Sequence, residues 1–228
     1  MKFFNIARVA GINYLFIFIS GIFANFFVLE SNIVLGDPVQ TFHNFTSHST
    51  LLRIGIFSFI VMVLADALLA WFLYVLLKPV DKDLSLLTGW LRLINATIFA
   101  VALLFLLQVL GLIQSEGAGS EVPLRIETSL RSFNDTWMIG LIFFGIHLLF
   151  LGYLIIKSGY FPKGIGWLLI MAGIGYLIDS FSFVLFKDYQ QFKDIFMAIV
   201  IIPGVIGELS LTLWLLIKGN IIPPINPR

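Results

Sequence analysis

The sequence predicts an all-α integral membrane protein, a bundle of six transmembrane helices with both termini in the cytoplasm. Hydrophobic residues make up 59% of the 228-residue chain and charged residues only 12%, whereas charged residues make up about 25% of an average soluble domain. The mean hydropathy is +1.01. The apolar residues also fall into six long runs, and each run is near the roughly 20 residues that a helix needs to cross a bilayer.

The first span is expected at residues 9–29, after a short basic N-terminus. This start also resembles a secretory signal peptide, but the apolar run exceeds the roughly 7 to 15 residues typical of a signal. We therefore predict a retained helix. In the polar segment that follows, residues 30–50, Asp37 precedes Pro38. This pair is typical of an N-cap and the first helical residue, and it predicts a short interfacial helix.

The remaining spans are expected at residues 52–77, 84–113, 137–157, 165–186 and 195–217. The longest hydrophilic stretch, residues 114–132, separates the third span from the fourth, and its second half is expected to form a short surface helix at most. The tail 221–228 is too rich in proline to be helical. No stretch is long and polar enough for a soluble domain, so residues 1–228 are predicted to form a single membrane-embedded domain.

The placement of Lys and Arg predicts the orientation. If the N-terminus is cytoplasmic, eight basic residues lie on that side and four on the other. The cytoplasmic residues would be Lys2, Arg8, Lys78, Lys82, Lys157, Lys163, Lys218 and Arg228. Those on the other side would be Arg125, Arg131, Lys187 and Lys193. Basic residues concentrate in cytoplasmic loops, which favours both termini inside. Three spans also end with an aromatic residue, three aliphatic residues and a lysine, a pattern typical of anchoring at the headgroup boundary.

The composition excludes several classes of function. A net charge of +1 does not provide the concentrated basic face that nucleic acid requires, so we expect no nucleic-acid partner. The chain has no cysteine, which excludes disulfides and thiol chemistry. With His147 as the one histidine inside a span, we expect no metal and no haem or other cofactor. An intramembrane enzyme that uses His147 as acid or base is the least favoured class, for want of a nucleophile or a metal set.

The ionisable residues inside the spans are the candidate functional residues, because a charge in hydrocarbon is costly and normally finds a partner. A helix rises about 1.5 Å per residue, so depth can be counted from the cytoplasmic end of each helix. Asp66, His147 and Glu208 then lie roughly 14 to 16 Å deep, and Arg92 lies roughly 10 to 12 Å deep. We therefore predict a polar layer with an ion pair between Asp66 and Arg92. Further polar candidates near this layer or towards the outer side are Asn95, Tyr176 and Asp179.

Glu208 follows Pro203 in the last span. A proline inside a helix removes a backbone hydrogen bond and bends the helix, which frees a carbonyl for an ion or a substrate. A kink next to a carboxylate is typical of transporters. The alternative is that the kink serves packing, and that the buried polar groups hold the helices in register, each interhelical hydrogen bond contributing about 0.6 to 2 kcal/mol.

The chain also resembles a known family. The motifs that carry the resemblance are Leu73-Tyr74, Lys78-Pro79-Val80, Trp90-Leu91-Arg92-Leu93, Gly152-Tyr153-Leu154, Lys157-Ser158-Gly159-Tyr160, Pro162 and Gly166-Trp167-Leu168, with Arg53 and Asp66 in the second span. Together they resemble a family of bacterial integral membrane proteins known only as a domain of unknown function. The resemblance covers nearly the whole chain. It implies a bundle of six helices or slightly more in the inner membrane, and it implies no substrate.

Two functional hypotheses follow. In the first, the polar layer lines a cavity that binds or transports a small molecule, a lipid or a proton. In the second, the protein is a non-catalytic scaffold or sensor that meets a protein partner through its extracytoplasmic loops, particularly residues 30–50 with His43 and His48. The first hypothesis predicts an open cavity at the polar layer, and the second predicts tight packing there. The sequence leaves the ligand, the protein partner and a homo-oligomer open, and it identifies only the lipid bilayer.

Overall fold

The computed structural model of the protein describes residues 6–114 and 120–219, and every regular element in them is helical. The elements are α1 (Ile6–Ile22), a π-helical segment (Phe23–Glu30), α2 (Pro38–Ser47), α3 (Ser49–Leu77), α4 (Lys82–Leu112), α5 (Val122–Ser158), α6 (Lys163–Leu185) and α7 (Tyr189–Lys218). Six helical stretches are long and apolar enough to cross a membrane. The all-α fold and the six spans are therefore confirmed, whereas the cytoplasmic placement of the termini stays a prediction.

The largest difference from the prediction is the start of α5. The helix was expected to begin near residue 137, but it begins at Val122 and runs for 37 residues. The segment expected as a hydrophilic loop carries an apolar stripe at helical spacing, with Val122, Ile126 and Phe133 all buried. Pro123 falls in the first turn, where a proline breaks no hydrogen bond. The helix is buried on one face only, and the polar residues of its other face made the segment look like a loop in the sequence.

Two other boundaries also differ. The α-helix of the first span ends at Ile22 and continues as the π-helical segment, a change that hydrophobic periodicity does not signal. The last span starts at Tyr189 rather than near residue 195. The short helix predicted in this segment is confirmed as α2, because the Asp37 side chain accepts a hydrogen bond from the Gln40 amide at 2.8 Å and Pro38 is the first helical residue.

The chain forms two compact units. Among the described residues, unit 1 comprises 6–15, 65–96 and 138–219, and unit 2 comprises 16–64, 97–114 and 120–137. The helices α1, α3, α4 and α5 contribute residues to both units. All of the seven candidate site residues and Pro203 belong to unit 1.

In unit 1, two glycine pairs bring the backbones of α5 and α6 together. A Cβ added at Gly152 would lie 2.5 Å from the Gly166 carbonyl oxygen, and one at Gly166 would lie 2.6 Å from the Gly152 carbonyl oxygen. Gly145 and Gly173 are related in the same way, with distances of 3.0 and 2.7 Å. A side chain at these positions would overlap the facing helix, so the separation of α5 and α6 is set by backbone contact.

The turn between α3 and α4 is fixed by Asp81. Its carboxylate accepts a hydrogen bond from the Leu84 amide at 3.1 Å, which caps α4, and another from Lys157 Nζ at 2.9 Å. The hydrogen bond from Lys157 holds the pKa of the Asp81 carboxyl below its ordinary value of 3.8, and the Leu84 amide acts in the same direction. The contact places the end of α5 beside the α3–α4 turn, as the antiparallel course of consecutive spans requires.

Unit 2 is organised around aromatic rings. Phe99 and Trp137 stack with their ring centroids 3.6 Å apart, and Phe59 and Phe133 contact Trp137 at 5.5 and 5.3 Å. At the turn before α2, Asn32 is buried and accepts a hydrogen bond from His48 Nδ1 at 3.0 Å. Unit 2 therefore holds its helices by ring packing and by short polar links.

Candidate functional site

Asp66 on α3 and Arg92 on α4 form an ion pair inside unit 1. Arg92 Nη2 donates to Asp66 Oδ1 at 2.5 Å. Both residues are buried, with 1% of Arg92 and 4% of Asp66 exposed. Asn95, one turn after Arg92, donates from Nδ2 to Asp66 Oδ2 at 3.2 Å. Both carboxylate oxygens are thus bonded. The predicted ion pair is confirmed, and Asn95 lies beside it.

Small residues let α3 and α4 approach at this level. A Cβ at Gly89 would lie 3.3 Å from the Ala70 carbonyl oxygen, so the two backbones nearly touch there. Ser85 reinforces the contact, because its hydroxyl donates to the Tyr74 carbonyl at 3.0 Å. The close approach next to Asp66 and Arg92 allows their side chains to meet directly.

Three further side chains enclose the Arg92 guanidinium. Nη1 donates to His147 Nε2 on α5 at 3.0 Å and lies 3.5 Å from the Tyr14 hydroxyl on α1. The guanidinium carbon lies 5.1 Å from the centroid of the Tyr14 ring and 5.4 Å from that of Phe144. An aromatic face attracts a cation most strongly when water is excluded. Arg92 is therefore held by a carboxylate, an imidazole and two rings.

The hydrogen bonds of His147 define its protonation. Its Nδ1 lies 2.9 Å from the Thr88 carbonyl oxygen, which can only accept, so Nδ1 carries a proton and donates. Nε2 accepts from Arg92, so it is the unprotonated nitrogen of a neutral ring. Protonation of Nε2 would set two donors against each other. Both nitrogens of His147 are thus engaged, which does not suit the acid or base of an intramembrane enzyme.

Two polar atoms of the cluster have no partner among the described residues, Arg92 Nε and Asn95 Oδ1. One is a donor and the other an acceptor, and they lie one turn apart on α4. Buried polar groups normally have a hydrogen-bond partner, and an ordered water commonly supplies it. The cluster thus has unused hydrogen-bonding capacity on the α4 side.

Glu208 on α7 is also buried, with 8% of the residue exposed. No described residue donates a hydrogen bond to its carboxylate or forms an ion pair with it, and its main-chain carbonyl accepts a hydrogen bond from the Thr212 hydroxyl at 2.7 Å. Glu208 lies within electrostatic range of Arg92 and Asp66. Glu208 is therefore a neighbour of the ion pair and no direct member of it.

Pro203 lies inside α7, one turn before Gly207 and Glu208. A proline at this position leaves the Ile199 carbonyl without its helical donor. A Cβ added at Gly175 of α6 would lie 2.9 Å from the Ile199 carbonyl oxygen. The freed carbonyl therefore faces the backbone of α6, rather than an open site for an ion or a substrate.

The structure places Tyr176 and Asp179 on the side of α6 that meets α7. Asp179 Oδ1 accepts a hydrogen bond from the Tyr189 hydroxyl at 2.7 Å. The Tyr176 ring packs edge-on against Phe144, with the centroids 5.2 Å apart. Tyr176 is also within electrostatic range of both Glu208 and Asp179. These two candidates thus form a second polar group, beside the Arg92 cluster.

Two surface grooves accompany these residues, an apolar one of about 520 Å³ between α6 and α7 and a more polar one of about 420 Å³ in unit 2. Neither groove is lined by Asp66, Arg92, His147 or Glu208. Within residues 6–114 and 120–219, no group of three or more His, Asp or Glu side chains is arranged to hold a metal ion.

Three residues of the site were not predicted from the sequence. Tyr14 contacts Arg92, and its position inside the first span, more than two helical turns from Ile6, was the available signal, because tyrosines concentrate at the interfaces. Thr88 acts through its main-chain carbonyl, which leaves no trace in the side-chain pattern. Tyr189 lies outside the expected last span, because that span was started near residue 195.

The comparisons with known proteins give a family without an activity. The sequence profile of the family described as "Domain of unknown function (DUF4386)" matches residues 9–219. An "Uncharacterized protein" of the archaeon Archaeoglobus fulgidus is 34% identical over 167 residues, which cover 73% of this chain and 83% of that protein. No solved structure matches the chain. The match covers nearly all of the six helices that are long and apolar enough to cross a membrane, and the chain belongs to the DUF4386 family, whose function is unknown.

Proposed function

We propose that this protein binds and releases a proton, or a small cationic ligand in its place, at Glu208, and that it does so as a transporter of the inner membrane with both termini in the cytoplasm. The observation that supports this proposal most is a buried carboxylate to which no described residue donates a hydrogen bond. The single membrane-embedded domain and the orientation belong to the same proposal. The distribution of Lys and Arg supports the orientation, and the apolar composition supports the single domain.

The buried charges around Arg92 do not balance if Glu208 is ionised. Arg92 is positive, Asp66 is negative, and the hydrogen bonds of His147 make that ring neutral. If Glu208 were ionised as well, the buried group would hold one uncompensated negative charge. Such a charge inside a membrane protein is costly and needs a counter-ion or a proton. Glu208 is therefore the group of this cluster whose charge is open to exchange.

The test is infrared difference spectroscopy of the protein reconstituted in lipid, between acidic and alkaline pH. We expect the wild type to lose a protonated carboxylic-acid band as the pH rises, and Glu208→Gln to lack this band. Glu127→Gln, which changes an exposed glutamate of α5, is the matched control and should keep it. If the spectrum of Glu208→Gln keeps every component of the wild-type carboxylic-acid band, the proposal is overturned. Proton flux into vesicles, abolished by Glu208→Gln, then separates transport from binding alone.

A second candidate function is the non-catalytic scaffold or sensor. The observation that favours it is the direct hydrogen bonding of Arg92 to Asp66 and to His147, which leaves no room for a ligand between the bonded groups. A protein partner would meet the loop before α2, where Leu35 is 90% exposed. A thermal-shift screen against lipids, quinones and metabolites distinguishes the two. The scaffold predicts no stabilising ligand, with Asp66→Asn and Glu208→Gln destabilised equally at every pH.

A further inference from the structure

The geometry points to a proton path that reaches Glu208 through the interface of α6 and α7, by way of the Asp179–Tyr189 pair and Tyr176. This inference rests on the proposed exchange at Glu208 and adds its route. It assigns Tyr176 and Asp179 the role of positioning and relay residues, and it places the entry at the end of unit 1 where α6 turns into α7.

One face of α6 carries the polar groups. Ala172, Tyr176, Asp179 and Phe183 follow one another at intervals of four, three and four residues, which puts them on one side of a helix. Tyr176 and Ala172 are the side chains nearest to Gly204 of α7. Phe183 contacts the ring of Tyr189 at 5.4 Å, so the whole stripe faces α7.

The facing side of α7 is just as regular. Tyr189, Phe196, Val200, Gly204 and Glu208 are spaced by seven and then by four residues. The rings of Tyr189 and Phe196 stack with their centroids 5.5 Å apart, and Val200 and Glu208 are buried. Glu208 is thus the inner end of the same stripe that begins with Tyr189 at the α6–α7 turn.

The outer end of the path is the Asp179–Tyr189 pair. Its hydrogen bond measures 2.7 Å, and both residues are mostly buried. The exposed side chain of Lys193 lies within electrostatic range of Asp179. Asp179 is therefore a buried carboxyl group within two helical turns of the end of α6, and it can exchange a proton with water through Tyr189 at the α6–α7 turn.

Tyr176 connects this pair with Glu208. Its hydroxyl oxygen lies 3.7 Å from the position that a Cβ would take at Gly204, so the space above this glycine is open to the hydroxyl. Glu208 follows Gly204 by one turn, about 6 Å along the axis, and helical side chains lean back towards the N-terminus. Asp179 lies about 4.5 Å along α6 from Tyr176. One water in each gap completes the chain, since a hydroxyl both donates and accepts.

The other neighbours of Glu208 do not lead out of unit 1. The charged and titratable groups that face it are Arg92 from α4, Asp66 from α3, Tyr14 from α1 and Tyr176 from α6. Arg92 and Asp66 are bonded to each other, and His147 of α5 is bonded to Arg92. Of the four, Tyr176 alone also neighbours the outer pair.

The transfer balances without any further reactant. The carboxylic acid of Asp179 gives its proton, through water, to the Tyr176 oxygen, while Tyr176 passes its own proton to the Glu208 carboxylate. Asp179 is left ionised and Glu208 is left neutral, and Tyr176 is unchanged. Asp179 then takes its next proton from water at the α6–α7 turn.

The experiment is time-resolved infrared spectroscopy of the reconstituted protein after a pH jump, following the carboxylic-acid band of Glu208. We expect Tyr176→Phe and Asp179→Asn to slow the protonation of Glu208 at least tenfold, with the wild-type amplitude reached at the end. The matched controls are Tyr153→Phe and Asp188→Asn, which change an exposed tyrosine of α5 and an exposed aspartate at the α6–α7 turn. Both controls should react at the wild-type rate.

Each result decides between the two proposals. If the Glu208 band titrates in the wild type and both path variants match its rate, the path is wrong and exchange at Glu208 stands. If the band does not titrate in the wild type, exchange itself is wrong. Should Asp179→Asn fail to fold, Tyr176→Phe alone decides, because it keeps the ring packing on Phe144 and removes only the hydroxyl.

Discussion

The two units of the chain bury very different chemistry. All the buried Asp, Glu, Arg and His side chains of the described ranges lie in unit 1, namely Asp66, Arg92, His147, Asp179 and Glu208. The buried polar residues of unit 2 are Ser20, Asn32, Thr41 and Ser129. These four bond to main-chain carbonyls at most seven residues away.

The difference concerns the distance over which polar groups find partners. In unit 2 the buried polar side chains bond within their own helix or the adjacent turn, apart from the link between Asn32 and His48, and aromatic packing joins the helices. In unit 1 the partners come from α1, α3, α4 and α5. A local bond survives small movements of neighbouring helices, whereas a bond between helices does not. The stability of unit 1, and its response to pH, should therefore depend on charge to a degree that unit 2 does not share.

The largest effect is expected for Asp66→Ala, which leaves the Arg92 charge buried without its partner. Removing one member of a buried ion pair typically destabilises a protein by about 3 to 5 kcal/mol. The measurement is the free energy of unfolding in mixed micelles. The double variant Asp66→Leu with Arg92→Met removes both charges, and we expect it to recover much of the loss. A double variant as unstable as Asp66→Ala alone would contradict the charge argument.

Gly152→Ala probes the backbone contact of unit 1. The added Cβ would lie 2.5 Å from the Gly166 carbonyl oxygen, so α5 and α6 must separate, and overpacking of this kind costs about 1 to 3 kcal/mol. The matched control is Gly164→Ala on α6, where no atom lies within 4 Å of the new Cβ. Because Gly164 lies in the first turn of α6, alanine there should leave the stability unchanged or raise it slightly. Equal thermal stability of both variants would show that the glycine pairs do not set the helix separation.

Phe133→Ala tests the aromatic packing of unit 2. The ring lies 5.8 Å from Phe59 and 5.3 Å from Trp137, centroid to centroid. We expect a loss of about 1 to 2 kcal/mol, below the 3 to 5 kcal/mol of Phe→Ala in soluble cores, because lipid is as apolar as the lost contacts. This loss should be the same at every pH where the protein is folded. A pH-dependent loss would remove the contrast with unit 1.

The smallest effect is expected for Asp81→Asn, which keeps an N-cap for α4 and removes the charge facing Lys157. The Lys157 hydrogen bond lowers the pKa of Asp81 below 3.8, so its contribution to stability is full above pH 3.8 and is lost as the pH falls through the lowered value. The difference in thermal stability between wild type and variant should shrink at low pH and at high salt. A difference that grows on acidification would reverse the sign and refute this assignment.

Much of this architecture could be predicted from the sequence, because it depends on local patterns. The six spans follow from hydropathy, α2 follows from Asp37 and Pro38, and the Asp66–Arg92 pair follows from helix depth and the cost of a charge in lipid. The extension of α5 escaped prediction, since its apolar stripe is diluted by polar residues. The roles of Tyr14 and Thr88 depend on which helices meet, and no local pattern encodes that.

The glycine pairs between α5 and α6 have a mechanical consequence. They join these two helices backbone to backbone, so α6 is expected to stay fixed relative to α5. By contrast, none of residues 190–199 of α7 is buried, and Pro203 follows them with one helical hydrogen bond missing. If the interface between α6 and α7 opens to admit water, we expect the first half of α7 to move away from α6, with Pro203 as the hinge.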